Sequence, residues 1–219
     1  MKNLLASSAL LITFLSSVST NVFAADPQKI SFGLISTSTV EDTKKRWQPL
    51  LDELAAATKM EVNAVISTNY SEIVTGLKNN TIHIAWMGNK SALDAVVDGK
   101  VSIFAQFVNK DGTAGYSSVL ITHKDSPITA LGDVANKPGA YTYGDGDPKS
   151  TSGHLVPEFY VFARNKLDLE KHFKKIVVGT HQTNFMMVAN KEVDIGTNNT
   201  NALARLKKDF PDQNNKVRV

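Results

Sequence analysis

The sequence contains no cysteine. Disulfides are therefore excluded, although an exported chain would be permitted them, and so is a lipid anchor, which needs a cysteine at the processing site. Neither sign of charge dominates: 24 Lys and Arg against 21 Asp and Glu give a formal net charge of +3 with pI near 8.9. There is no extended Lys/Arg block, which argues against a nucleic-acid partner and against a polybasic membrane patch. Beyond the first residues no stretch is long and apolar enough to span a bilayer. The familiar catalytic signatures are missing too. There is no Gly-x-Ser-x-Gly elbow, no His-Glu-x-x-His and no carboxylate pair at an informative spacing.

What is present begins with "MKNLLASSALLITFLSSVSTNVFA". A charged start at Lys2, an apolar stretch through Leu15 and small residues ending at Ala24 describe a secretory signal over 1–24. The mature chain is expected to start at Ala25 and to be free in a periplasm. Hydrophobic residues make up 42% of the chain, enough for a globular core in one large domain or two small lobes.

Strand-like and helix-like patterns then alternate. "KISFGLIST" reads as a buried strand. In the following segment Trp47, Leu50, Leu51 and Leu54 fall on one helical face, with Pro49 predicting a kink or a helix start nearby. "EVNAVIST" is a strand, and "SEIVTGLKNN" a helix with Ser71 as its cap and Asn79/Asn80 as its stop. "TIHIAWMG" is a strand, "KSALDAVVDG" a helix ending at Gly99, and "VSIFAQF" a strand. A second set follows from Tyr116: strands in "YSSVLITHK", "GAYTYGDGD", "FKKIVVGTH", "VDIGTNN" and "NKVRV", with helices in "SPITALGDV", "SGHLVPEFYVFARNKL", "NFMMVANKE" and "TNALARLKKDF". In the second of these helices Pro157 is expected in the first turn. The order predicts an α/β protein with parallel or mixed sheets covered by helices on both faces. Two lobes, 25–115 and 116–219, would face each other across a cleft. The chain ends in a strand with nothing to close the second lobe, which suggests truncation.

Three loops lie where strands hand over to helices, the edge where open α/β sheets bind ligands. They are "STNYSEI", "WMGNKSAL" and "YGDGDPKSTSGH". The last lacks the Gly-Lys-Ser/Thr order of a nucleotide loop. It places Ser150, Thr151 and Ser152 at a helix start, where unpaired N–H groups and hydroxyl donors suit a tetrahedral oxyanion. The same residue types make an ordinary N-cap, and the residues alone leave both readings open. Asp145 and Asp147 read as turn residues, because no metal-ligand series follows them. His181, Tyr70 and Tyr116 could add donors, or be loop and core residues. A Ser150–His181 pair is conceivable for catalysis, but no third group is evident to orient the base.

With these residues in view the chain resembles the phosphonate-binding periplasmic proteins of ABC transporters. The resemblance runs from about Ile30 to Val219. It rests on "FGLIST", "IAWMGN", "GDGDPKSTSGHLVPEFYVFA", "GTHQTN", "VANKEVDIGTNNT" and "VRV". It implies a two-lobed type II solute-binding fold that closes on its ligand, with an ABC permease as partner and no enzymatic activity or cofactor. It further implies phosphonate contacts from Ser150, Thr151, Ser152, Tyr70, Tyr116 and His181. Relatives that take 2-aminoethylphosphonate meet its ammonium with a glutamate where this chain has Asn201. A second acid would lie beyond Val219, as would the remainder of the first lobe, so a protein ending there is expected to fold poorly. Phosphite, methylphosphonate or another small phosphonate becomes the expected ligand, since a charge-assisted bond is missing. Self-association into a dimer is left open. The alternatives are a phosphite- or phosphate-binding protein, a sensor partner, or a periplasmic phosphoryl-transfer hydrolase using Ser150 or His181.

Overall fold

A computed structural model describes residues 29–97 and 101–219. The signal segment and the helix stop at Gly99 lie outside the described residues. The described residues form two separate sheets, each with its own hydrophobic core.

The first sheet is parallel, in the order β2-β1-β3, from β1 (Lys29–Ile35), β2 (Glu61–Ser67) and β3 (Ile84–Trp86). Central β1 is almost wholly buried, as a strand covered on both faces must be. Edge strand β2 keeps the alternation seen in the sequence, with Val62, Ala64 and Ile66 turned inward. Helix α1 (Val40–Thr58) packs Trp47, Leu51 and Leu54 onto Phe32 and Leu34. Leu50, expected on this face, is instead exposed at its edge. The helix starts at Val40, capped by the Thr39 hydroxyl, and runs through Pro49. Pro49 and Lys45 both face solvent, so the carbonyl that loses its N–H partner there can be met by water. Helices α2 (Tyr70–Lys78) and α3 (Asn89–Val96) cover the opposite face through Ile73, Val74, Leu77 and Ala95. The cap of α2 is Asn69, not Ser71: its side-chain oxygen accepts from the Ser71 N–H at 2.9 Å.

No strand forms in "VSIFAQF". Ile103, Phe104 and Phe107 are largely exposed, and the nearest pairing is an isolated bridge between Val108 and Ala114. Apolar alternation makes a strand only where a neighbouring edge takes its N–H and C=O groups, and among the described residues none does.

The second sheet is mixed, in the order β6-β5-β7-β4-β8. Strands β5 (Thr142–Asp145), β6 (Lys175–Val178) and β7 (Ile195–Asn199) run parallel. Strand β4 (Ser118–His123) lies antiparallel to β7 and to the short β8 (Val217–Arg218). One face buries Tyr143, Phe162, Phe173 and Ile195, beside helices α4 (Leu131–Ala135) and α5 (Leu169–His172). The Tyr143 ring stacks on Phe173 at 4.4 Å. The other face packs against helix α6 (His181–Ala189) and helix α7 (Thr200–Asp209) through Phe185, Val188 and Leu206. A short helix α8 (Pro211–Asn214), which the sequence pattern did not suggest, leads into β8.

The segment after β5 is helical over 151–165 but wider than an α-helix. It contains π segments Thr151–Leu155 and Glu158–Phe162 and a 3₁₀ turn Ala163–Asn165. The Leu155 N–H donates five residues back, to the Ser150 carbonyl, at 3.0 Å. Pro157 therefore sits in the second turn, not the first. Having no N–H to offer, it falls between two segments where the ordinary ladder is already interrupted.

Candidate functional site

The site is built around the loop that leaves β5. Gly146 folds back on the helix it precedes, its N–H donating to the Gly153 carbonyl at 2.9 Å. A Cβ at Gly146 would lie 2.7 Å from backbone atoms of Gly153, so the close approach requires glycine. The two aspartates serve this turn. Asp145 accepts from the Gly146 N–H at 2.9 Å and pairs with His154 at 2.7 Å. Asp147 accepts from the Lys149 N–H at 2.8 Å and reaches across to the Tyr70 N–H at 3.2 Å.

Ser150 is the helix cap, its Oγ accepting from the Gly153 N–H at 3.0 Å. The same side chain hydrogen-bonds the Tyr70 phenol. Of the two readings left open by the sequence, the cap is the one seen here, and it leaves Ser150 directed at Tyr70 as well. Thr151 Oγ1 accepts from the Lys90 N–H at the start of α3, at 2.8 Å. Ser152 Oγ lies 3.2 Å from His181 Nε2 and accepts from Asn199 Nδ2 at 3.3 Å. The hydroxyls of Ser150–Ser152 therefore face different neighbours, of which Tyr70 and Lys90 belong to the unit of the first sheet.

Tyr70 is buried, and burial, with smaller effects from Asp147 and Tyr116, pushes its phenol up to about 12. It stays an O–H donor at neutral pH. Tyr116 is exposed and adds a small electrostatic effect on Tyr70. His181, at the first turn of α6, is buried, and burial pulls its imidazole down to about 4 against a weaker upward effect of the Thr197 backbone. It is neutral at pH 7. Asn201 stands apart: it is exposed on α7 and donates to Asn109 at 3.1 Å.

Charges around the cluster come in sets of two cations to one acid, and Arg205 Nε and Nη2 are buried without a hydrogen-bond partner. Lys90 and Lys149 are both held by Asp94. Arg46 pairs with Asp209 at 3.0 Å, beside Arg205, whose guanidinium burial holds below its ordinary value. The side chains that converge on the hydroxyl run are themselves neutral donors and acceptors: Tyr70, Ser150, Thr151, Ser152, His181 and Asn199.

The Ser–His pair forms with Ser152 rather than Ser150, which is turned toward Tyr70. No carboxylate orients its imidazole, and a ring held near 4 is a weak base at neutral pH. Sequence reasoning also missed Asn199. Its side-chain oxygen caps α7 through the Ala202 N–H at 2.8 Å while its amide supports Ser152. Asn184 was missed as well: its amide donates to the Gly144 and Asp145 carbonyls, both at 3.0 Å, and ties the end of β5 to α6.

Comparison with known proteins identifies the family. The model of the family described as ABC transporter, phosphonate, periplasmic substrate-binding protein matches residues 32–219. The chain belongs to this family. It is 44% identical over 190 residues to the phosphonates-binding periplasmic protein of Escherichia coli (strain K12), covering 87% of this chain and 56% of that one. Its fold superposes with TM-score 0.85 and 41% identity on a binding protein component of an ABC phosphonate transporter from Pseudomonas aeruginosa, covering 89% of this chain and 64% of that one. A Prochlorococcus marinus (MIT 9301) protein solved with methylphosphonate superposes with TM-score 0.74 at 24% identity, over 88% of this chain and 71% of that one. The chain spans little more than half the length of its Escherichia coli relative. Its architecture is the mixed α/β type II periplasmic-binding fold, and the family is one of transport binding proteins rather than enzymes.

Proposed function

We propose that this phosphonate-family protein captures a small tetrahedral phosphorus oxyanion in the periplasm and delivers it to an inner-membrane ABC permease. The observation that carries the reading is the convergence of neutral hydrogen-bonding groups where the two sheet units meet. Ser150, Thr151 and Ser152 at the start of the wide helix, with Tyr70, Tyr116 and His181, would surround the oxyanion. The units, 25–115 and 116–219 in this reading, would close on the ligand. Many hydrogen bonds without an ion pair can hold an anion firmly when closed and release it on opening, since the donors meet only in the closed state. Secretion by the segment 1–24 completes the picture.

The organic end of the ligand is set elsewhere. An asparagine at 201 offers no charge to an ammonium, so methylphosphonate and phosphite are expected to bind better than 2-aminoethylphosphonate. Isothermal titration of the full-length protein with these three ligands tests the reading. Absence of binding by all three at millimolar concentration overturns it.

A further inference from the structure

Two ion pairs join the two units, Arg46 with Asp209 and Lys149 with Asp94, and the second lies beside the hydroxyl cluster without belonging to it. Lys149, in the loop leaving β5, places Nζ 2.9 Å from Asp94 Oδ2 on α3. Asp94 also takes Lys90 Nζ, one turn earlier on the same helix, at 3.0 and 3.1 Å. The Lys90 contact lies within α3 and survives any rigid movement of the units. The Lys149 contact links the two sheets and does not. Its neighbours in the same loop also cross, from Asp147 to the Tyr70 N–H and from Thr151 to the Lys90 N–H, and away from this loop Arg46 meets Asp209 and the Gln182 N–H meets the Thr37 carbonyl. The hydrogen bond from Lys149 is the leading influence holding Asp94 below the usual carboxylate range.

We propose that Lys149 and Asp94 form a closure latch, a positioning pair that assembles when the units meet over the ligand and slows their reopening. The proposal rests on the oxyanion-clamp reading above. Lys90 keeps Asp94 partnered when the latch opens, so no bare carboxylate is left behind. Asp94 in turn neutralises Lys149, the cation next to Ser150 in the chain, and the oxyanion is left to neutral donors. The side chains remain 31% and 23% exposed, so the pair is partly screened by water and the latch is weak. Its loss should change the closed-to-open ratio about two- to fivefold, the range for such pairs.

Residues 1–219 hold no cysteine, so with any cysteine beyond them replaced by serine two unique spin labels are placed at Thr75→Cys on α2 and Lys174→Cys before β6, both exposed. Distances between them are measured by double electron–electron resonance in the full-length protein, with and without methylphosphonate. Stopped-flow release of methylphosphonate is measured alongside. Lys149→Met should shift the distribution toward the longer distance about two- to fivefold and raise the release rate by a similar factor. The association rate should be unchanged, and Lys149→Arg should restore wild-type behaviour. Unchanged distances and release in Lys149→Met overturn the latch, as does failure of Lys149→Arg to restore them. If methylphosphonate shortens the distance in no background, the clamp reading fails instead, and the unliganded distributions still decide the latch.

Discussion

The fold-back of Gly146 onto Gly153 yields a sharp prediction. A methyl group at Gly146 would sit 2.7 Å from both the Gly153 Cα and carbonyl carbon, and 2.9 Å from the Gly153 oxygen. These are backbone atoms and cannot rotate aside, so Gly146→Ala must move the loop away from the helix start. Overpacking of this kind costs about 1–3 kcal/mol, which for a chain of this size lowers Tm by about 3–10 °C. The displaced loop carries Ser150, Thr151 and Ser152, so methylphosphonate affinity should fall by at least about tenfold, the equivalent of roughly 1.4 kcal/mol. Gly132→Ala is the matched control. Its Cβ would meet only the end of the Asn136 side chain, at 3.8 Å, within α4, where alanine is the better helix former. Thermal melts and titrations on the full-length variants compare the two. If Gly146→Ala melts with the wild type and binds as tightly, the loop is not packed as described and the reasoning fails.

Other consequences follow from the same contacts. Ser152→Ala removes the partner of His181 Nε2 and Asn199 Nδ2 together; orphaning buried polar groups should cost about 1–3 kcal/mol in denaturant melts, besides weakening binding. His181 titrates near 4 in the fold against about 6.5 unfolded. The unfolded state therefore binds the extra proton first, and the stability this residue supplies above pH 6.5 is lost as pH falls toward 4. The loss is on the order of 3 kcal/mol, and a His181→Gln variant should show a flatter stability profile over that window. Asn201→Glu should raise affinity for 2-aminoethylphosphonate while leaving methylphosphonate nearly unchanged; equal effects on both ligands in calorimetry would place residue 201 away from the organic end.

Much of the fold was legible because alternation and helical periodicity report burial directly. The buried run of β1, the alternating edge of β2 and the helix start after β5 all follow from pattern and capping chemistry. The 101–107 segment was misread because apolar alternation reports the capacity for a strand and not the neighbour that completes it. The wide helix was hidden by Pro157, which signals an interrupted ladder without saying how the chain absorbs it. The site was legible as a hydroxyl run but not as a network. Ser152 rather than Ser150 meets His181 because the start of the helix turns successive hydroxyls in different directions. Asn199 looks like any cap in sequence, since its second bond goes to a residue 47 positions away. Asp94 likewise reads as a surface partner of Lys90, and its link to Lys149 spans 55 positions.

The central claim is that neutral donors, not a cation, hold the ligand. Calorimetric Kd values for methylphosphonate on the full-length protein test it most directly, comparing wild type, Ser150→Ala with Thr151→Ala, and Lys149→Met. Each hydrogen bond to a charged ligand is worth about 1.5–3 kcal/mol, so losing two should weaken binding by well over tenfold, whereas losing Lys149 should cost no more than about fivefold. Equal losses in the two variants, or a larger loss from Lys149→Met, would mean that charge holds the oxyanion and would contradict the account.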